Sequence, residues 1–323
     1  MSSSRRVLLT GASGHVGGRL FKHLVETGGA DVRADLRVAV RKGRPMPEWS
    51  STAEIIGGDI ADQKVRETIL RDTHTVVHLA TRGFSARESP TVAEMNDEHG
   101  VTLKLLRDAV RLGAQRFIYL SSIHAYGSAL VGDVDDSTPA APTTEYGRSR
   151  LRIERDLAEL AGGSACQTII VRLTNSFGTP VQPRAETWNL LVHDLCRQAA
   201  ESNTVVLRSD ARTCLDVMAL RDVVEVLKQV IESQSLTGGT YLLASGNTLP
   251  LANIAQLVTR LAHEEFGKTY NVRFREQNIE VPPTFTLHSR RLRELGIEIP
   301  QHRDEEIRDL LRYARDTMSG QSR

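Results

Sequence analysis

Through its first half the chain alternates short runs of β-branched and other apolar residues with longer stretches in which apolar positions recur at helical spacing. The runs RVLLT (6–10), LRVAVR (36–41), EIIGGD (54–59), TVVHLA (75–80), RFIYLSS (116–122) and QTIIVRLT (167–174) are predicted as strands. Between them HVGGRLFKHLVETGG (15–29), VRETILRD (65–72) and the segments 91–113 and 144–161 are predicted as helices. Strands that are apolar at successive positions have no face to offer water, so both sides of their sheet must be covered. Helices that alternate with them supply that cover. The predicted fold class is therefore α/β, a doubly wound parallel sheet of Rossmann type.

After Asn175 the rhythm changes. NSFGTPVQPRAE is rich in turn formers, and a helix (186–201), the strand VVLRS (205–209), a helix (219–233) and the strand GTYLLAS (239–245) follow. The remainder, as far as the helical DEEIRDLLRYARD, is mostly helical with short strands. The expected organisation is a dinucleotide-binding domain over 1–174, to which 204–245 partly returns. Residues 175–203 and 246–323 would form a smaller C-terminal substrate-binding lobe over the carboxyl ends of the strands.

Charge and cysteine usage narrow the classes of function. Lys and Arg total 41 against 40 Asp and Glu, and this balance offers no field for nucleic acid or an acidic membrane. No apolar run approaches the length that spans a bilayer, and the one before Gly11 is too short for a signal peptide. Cys166, Cys196 and Cys214 are odd in number and widely spaced, as buried thiols in a reducing compartment would be. No His/Cys/Asp cluster has metal-ligand spacing. A cytoplasmic protein without metal, membrane or nucleic-acid partners is expected.

The chemistry concentrates in two stretches. Straight after the first strand, TGASGHVGG sets Gly11, Gly14 and Gly17 in the spacing GxxGxxG. A glycine-rich turn from strand into helix brings backbone amides up to a pyrophosphate, where the helix dipole favours negative charge. Ser13, Gly14, His15 and Val16 complete the predicted cradle. The second strand ends in Arg41 and Lys42, where an NAD site carries a carboxylate for the ribose hydroxyl. Two cations suit a 2′-phosphate, which makes NADP the expected cofactor and NAD the alternative; a solvated basic loop is the other reading. Asp59 with Ile60 would meet the adenine edge, or Asp59 would cap helix 61–71. In the second stretch, TTEYGRSRLRIE (143–154), Tyr146 precedes Arg150 by one helical turn. A phenol is a poor base at neutral pH, and a nearby cation lowers its pKa.

The ordered set TGASGHVGG, GGDIAD, VVHLAT, RFIYLSSIHAYG, EYGRSR and VRLTNSFGTP resembles the extended short-chain dehydrogenase/reductase family, in its branch of NAD-dependent epimerases and dehydratases of nucleotide sugars. The tail YLLASGNTLPLANIAQLV and SRRLRELGIEIP is similar to that family's C-terminal lobe. The resemblance implies a catalytic group of Ser122, Tyr146 and, where the family has Lys, Arg150. Arg keeps its charge at working pH, so a proton relay through an ammonium group is closed. It further implies that His78, Leu79, Ala80 and Thr81 follow the dinucleotide's path and that Asn96 supports the active-site backbone. His124, Asn175 and Arg212 would contact substrate, while Arg172 would do so or form a structural ion pair. The expected activity is NADP(H)-dependent reduction of a 4-keto nucleotide sugar, with Tyr146 as acid and Ser122 steadying the oxygen. A 4-epimerase with tightly bound NAD is the alternative, and a non-catalytic dinucleotide-binding regulator a third. Dimerisation through helices 91–113 and 144–161 is also implied, and VTLKLLRDAV carries an apolar stripe fit for a partner or for its own sheet.

Overall fold

A computed structural model of the chain describes residues 5–28, 35–43, 48–80, 90–181, 187–274 and 283–321. In chain order the strands are β1 (Val7–Thr10), β2 (Leu36–Val40), β3 (Glu54–Gly57), β4 (Thr75–His78), β5 (Arg116–Ser122), β6 (Gly132–Asp135), β7 (Gln167–Leu173), β8 (Asn175–Phe177), β9 (Thr204–Leu207), β10 (Cys214–Ala219), β11 (Gly239–Leu243), β12 (Thr248–Pro250), β13 (Asn271–Phe274) and β14 (Phe285–His288). The helices are α1 (His15–Thr27), α2 (Gln63–Leu70), α3 (Val92–Arg111), α4 (Glu145–Ala161), α5 (Leu191–Glu201), α6 (Leu220–Glu232), α7 (Leu251–Phe266), α8 (Arg290–Glu294) and α9 (Arg303–Gln321).

Seven strands form one sheet in the order β11-β7-β5-β4-β1-β2-β3, with parallel pairing throughout. Successive residues go to opposite faces, which is why the runs are continuously apolar. Leu9, Val77, Ile118 and Ile169 pack under α1 and α6, while their neighbours Leu8, Val76, Phe117 and Ile170 pack under α2, α3 and α4. The stripe of VTLKLLRDAV is spent on this second core, since Leu105, Leu106 and Ala109 are buried there. Because β1 lies between β4 and β2, the connections leaving β1 and β4 diverge and open a crevice at their carboxyl ends.

The run at 239–245 joins the sheet as its edge strand β11, next to β7. The run at 205–209 does not return: β9 pairs with β13, and β10, between the predicted strand 205–209 and the helix that follows, pairs with β8 and β12. The reason lies in its faces, since Val205 and Leu207 are buried while Val206 is exposed, so β9 suits a sheet covered on one side only. These strands and α5, α7 and α9 enclose a separate core around Phe177, Leu195, Val258 and Leu310.

One buried and one partly buried ionic contact tie the parts together. Glu154 on α4 accepts from Ser121 at 2.5 Å and pairs with Arg172 on β7 at 2.6 Å, and the Arg172 guanidinium also lies 4.4 Å from the centre of the Tyr126 ring. Arg172 is thus in a structural ion pair. Glu306 on α9 pairs with Arg19 on α1 at 3.0 Å and accepts from the Thr179 N–H at 3.2 Å. Replacing Glu154 with Ala strands Arg172 without a counter-charge and is expected to cost about 3–5 kcal/mol. Denaturant unfolding checks this, and a loss below about 1 kcal/mol, typical of an exposed pair, would show that the guanidinium finds other partners.

Candidate active site

The crevice continues into a cavity of about 480 Å³, a size usual for small-molecule sites. Its wall includes Gly11, Ser13, Gly14, Arg41, Asp59, Ile60, Leu79 and Ala80, and on the α3 side Asp97, Glu98 and Val101. The glycines are steric necessities. Gly11 has φ +81°, and a Cβ there would stand 2.5 Å from the carbonyl carbon of Leu79. At Gly17 a Cβ would run into the carbonyl oxygen of Gly11. Gly14 caps α1 without a side-chain hydrogen bond, and the first turn holds no acidic residue. The helix start therefore offers the amides of its first turn, with no side chain capping them, and the positive end of its dipole, an arrangement that fits the pyrophosphate of a dinucleotide.

The other residues of the predicted cradle lie elsewhere. The His15 ring packs edge-on against His193 of α5 at 5.1 Å between centroids, and burial pulls its pKa down to about 4. Val16 packs against the main core. Lys42 is exposed and outside the cavity wall, and Thr81 lies outside the described residues. Asp59 takes the Ala61 N–H at 2.9 Å, but α2 is capped by Asp62, which accepts from the Lys64 N–H at 2.8 Å. His78 does not reach the cavity. Completely buried, it is held by Thr10 at 2.7 Å and Thr102 at 3.1 Å, and burial pulls its pKa down to about 3.

Ser122, Tyr146 and Arg150 do not line this cavity; they converge behind its α3 side, which Arg150 reaches through Glu98. Ser122 ends β5 and accepts the His124 N–H at 3.3 Å. Thr144 caps α4 by accepting the Gly147 N–H at 3.1 Å. A Cβ at Gly147 would strike the carbonyl oxygen of His124, so this glycine lets α4 press against the turn after β5. That approach brings Tyr146 into hydrogen-bonding contact with Ser122 and edge-on to the His124 ring at 5.7 Å. Burial of its phenol pushes the Tyr146 pKa above 10; Arg150 and Ser122 pull the other way, while Glu98 adds to the rise. His124 stands in contact with Tyr146, and burial lowers its pKa from 6.5.

The Arg150 charge does pull the Tyr146 pKa down as expected, but burial outweighs it and the net shift is upward. The Arg150 Cζ lies 4.9 Å from the centre of the Tyr146 ring. However, Nη2 stands 2.5 Å from the Glu98 carboxylate and Nη1 donates to the Tyr119 hydroxyl at 2.8 Å. A guanidinium so shared exerts less pull than a lone cation, and desolvation of the phenol outweighs it. Glu98 is the residue that sequence reasoning missed. It shares the inward face of α3 with Met95, Thr102, Leu105 and Leu106, and a carboxylate on that stripe was the available signal. Asn96, two positions earlier, is exposed and accepts from Arg152 at 3.2 Å, so it does not support the site.

Of the residues expected to contact substrate, Asn175 and Arg212 do not line this cavity. The Asn175 side-chain amide donates to the Asp216 carbonyl at 3.3 Å, and Arg212 pairs with Asp210 at 2.9 Å. Cys166, Cys196 and Cys214 are all buried free thiols. Among the described residues, no group of three or more His, Cys, Asp or Glu side chains is placed to hold a metal ion, and no helix is long and apolar enough to cross a membrane.

Known proteins share this framework. A UDP-glucose 4-epimerase of Vibrio cholerae is 26% identical over 265 residues, which cover 80% of this chain and 75% of that protein. The 2′-dehydrokanamycin reductase of Streptomyces kanamyceticus is 25% identical over 82% of this chain and 68% of its own length. The solved structure of the Thermotoga maritima UDP-glucose 4-epimerase with UDP-glucose has the same fold, with a TM-score of 0.79 over 97% of this chain and 99% of that one at 21% identity. Residues 7–244 match the model of the NAD dependent epimerase/dehydratase family, and the chain belongs to that family.

Proposed function

We propose that the protein is an NADP(H)-using oxidoreductase that reduces a 4-keto group on a nucleotide-linked sugar, with Tyr146 as the proton donor. The observation that carries this reading is the Tyr146 phenol in contact with Ser122 and next to the Arg150–Glu98 pair that reaches the cavity wall, with its proton held on by burial. A donor must be protonated to act, and a phenol with a pKa above 10 is protonated throughout the neutral range. When bound, a nicotinamide cofactor supplies the hydride. Ser122 orients the substrate oxygen and stabilises the charge that develops on it, while Tyr146 delivers the proton to that oxygen. Arg150 stays charged and takes no part in moving protons. Gly11, Gly14 and the uncapped start of α1 would hold the pyrophosphate. Arg41, at the cavity wall where an NAD site has a carboxylate, favours the 2′-phosphate of NADP.

The second reading is a nucleotide-sugar 4-epimerase with tightly bound NAD. It is favoured by the similarity to UDP-glucose 4-epimerases and by the family's NAD dependence. Incubation with a 4-keto nucleotide sugar and reduced cofactor separates the two. Stoichiometric loss of NADPH absorbance is expected, whereas interconversion of UDP-glucose and its 4-epimer without net cofactor consumption would replace the reductase reading with the epimerase one.

Replacing Tyr146 with Phe is expected to lower kcat by about 10²–10⁴-fold with the fold intact; unchanged turnover would remove Tyr146 from the mechanism. The reductive rate should hold through neutral pH and fall as pH rises through the Tyr146 pKa, above 10, while the oxidative direction gains there. Replacing Gly11 with Ala should weaken dinucleotide binding by more than about tenfold, ~1.4 kcal/mol, in a fluorescence titration with NADPH. Replacing Arg41 with Ala should raise the Kd for NADPH and leave that for NADH nearly unchanged. Equal effects on both would turn the cofactor assignment towards NAD.

A further inference from the structure

Glu98 sits at the inner edge of the cofactor cavity with its side chain only 4% exposed. Its carboxylate stands 2.5 Å from Nη2 of Arg150, itself 1% exposed, on the flank of the guanidinium that does not meet Tyr119. The same guanidinium lies against the Tyr146 ring. One permanent cation, almost wholly buried, thus meets a carboxylate and the Tyr119 hydroxyl and lies against the Tyr146 ring, where charge interactions are weakly screened. Arg cannot discharge, so the net charge beside Tyr146 depends on Glu98 and not on Arg150.

We propose that Glu98 is a positioning residue for Tyr146: its carboxylate cancels the Arg150 charge, fixes the guanidinium against Tyr119 and the Tyr146 ring, and thereby makes Tyr146 a proton donor instead of a base. This inference rests on the reading of Tyr146 as the acid. It assigns the choice between donating and accepting a proton to a residue on α3, outside the expected catalytic group.

The groups that face Tyr146 make the effect separable. From β5 come Tyr119 and Ser122, from the following turn His124, from α3 Glu98 and from its own helix Arg150. Burial holds Tyr119 protonated well above the usual phenol range and keeps His124 neutral. Glu154 and Tyr146 add to the Tyr119 rise, and His78 is neutral behind Thr10 and Thr102. Above neutral pH the titration beside Arg150 therefore belongs to Tyr146.

The experiment is a spectroscopic titration of tyrosinate in the full-length protein, with the Tyr146 step obtained by difference against Tyr146→Phe. In Glu98→Gln the uncancelled guanidinium should lower that midpoint by at least about one pH unit. Should the single variant fail to fold, Glu98→Gln combined with Arg150→Met removes both charges, and its midpoint should stay within about half a unit of wild type. An unmoved midpoint in the single variant, or one raised by about a unit or more in the double variant, overturns the proposal, because Arg150 would then act uncancelled. The pH profile of kcat/KM is read alongside. If tyrosinate formation moves and turnover does not, the action of Glu98 on the phenol stands and the assignment of Tyr146 as the catalytic acid falls.

Discussion

Arg150 keeps its positive charge in a place from which water is excluded, and the elements around it are arranged to make that tolerable. A buried charge is costly unless it is paired and hydrogen-bonded. Glu98 comes from α3, Tyr119 from β5 and Tyr146 from the first turn of α4, so the requirement fixes three elements relative to one another. The helix that carries the phenol is pinned at the cap by Thr144, at the turn by Gly147 and one turn later by this ionic contact. Ser122 needs no device of its own, because it is the last residue of a central strand.

The cavity is produced by a different constraint, the close approach of backbones. Gly11 lies against the end of β4, and Gly17 lets α1 start against the turn that feeds it. Both contacts follow from the position of β1 between β4 and β2, where the connections part. The site thus combines a steric half, built from missing side chains, with an electrostatic half, built from one side chain too charged to leave alone.

How much of this could be read in the sequence follows the same division. Strands that are apolar on both faces announced the parallel sheet, and β11 was recognisable because GTYLL has the same character. Leu215 in β10 is partly exposed amid buried neighbours, and Val206 in β9 is exposed, so both belong to smaller sheets that periodicity alone does not connect. The spacing of Tyr146 and Arg150 on one helical face was legible, since it is a property of a single helix. The partner of Arg150 was not, because Glu98 lies 52 positions earlier in a stretch that also carries Glu94 and Asp97, and only the packing of α3 on α4 selects it among them. For the same reason Asn96 invited a role that its outward orientation denies it. The direction of the Tyr146 shift was equally hidden, since desolvation depends on what surrounds a group and not on what neighbours it in sequence.

The contact of Arg19 with Glu306 bears on motion. It joins the first helix of the chain to the last, and the Thr179 amide, at the crossing between the two cores, ends on the same carboxylate. Separating the halves at this seam would take from a buried carboxylate its contacts with Arg19, Arg221 and the Thr179 amide. The joint between α1 and α9 is thus the stiff side of the molecule, where a change in the relative placement of the two cores is most costly.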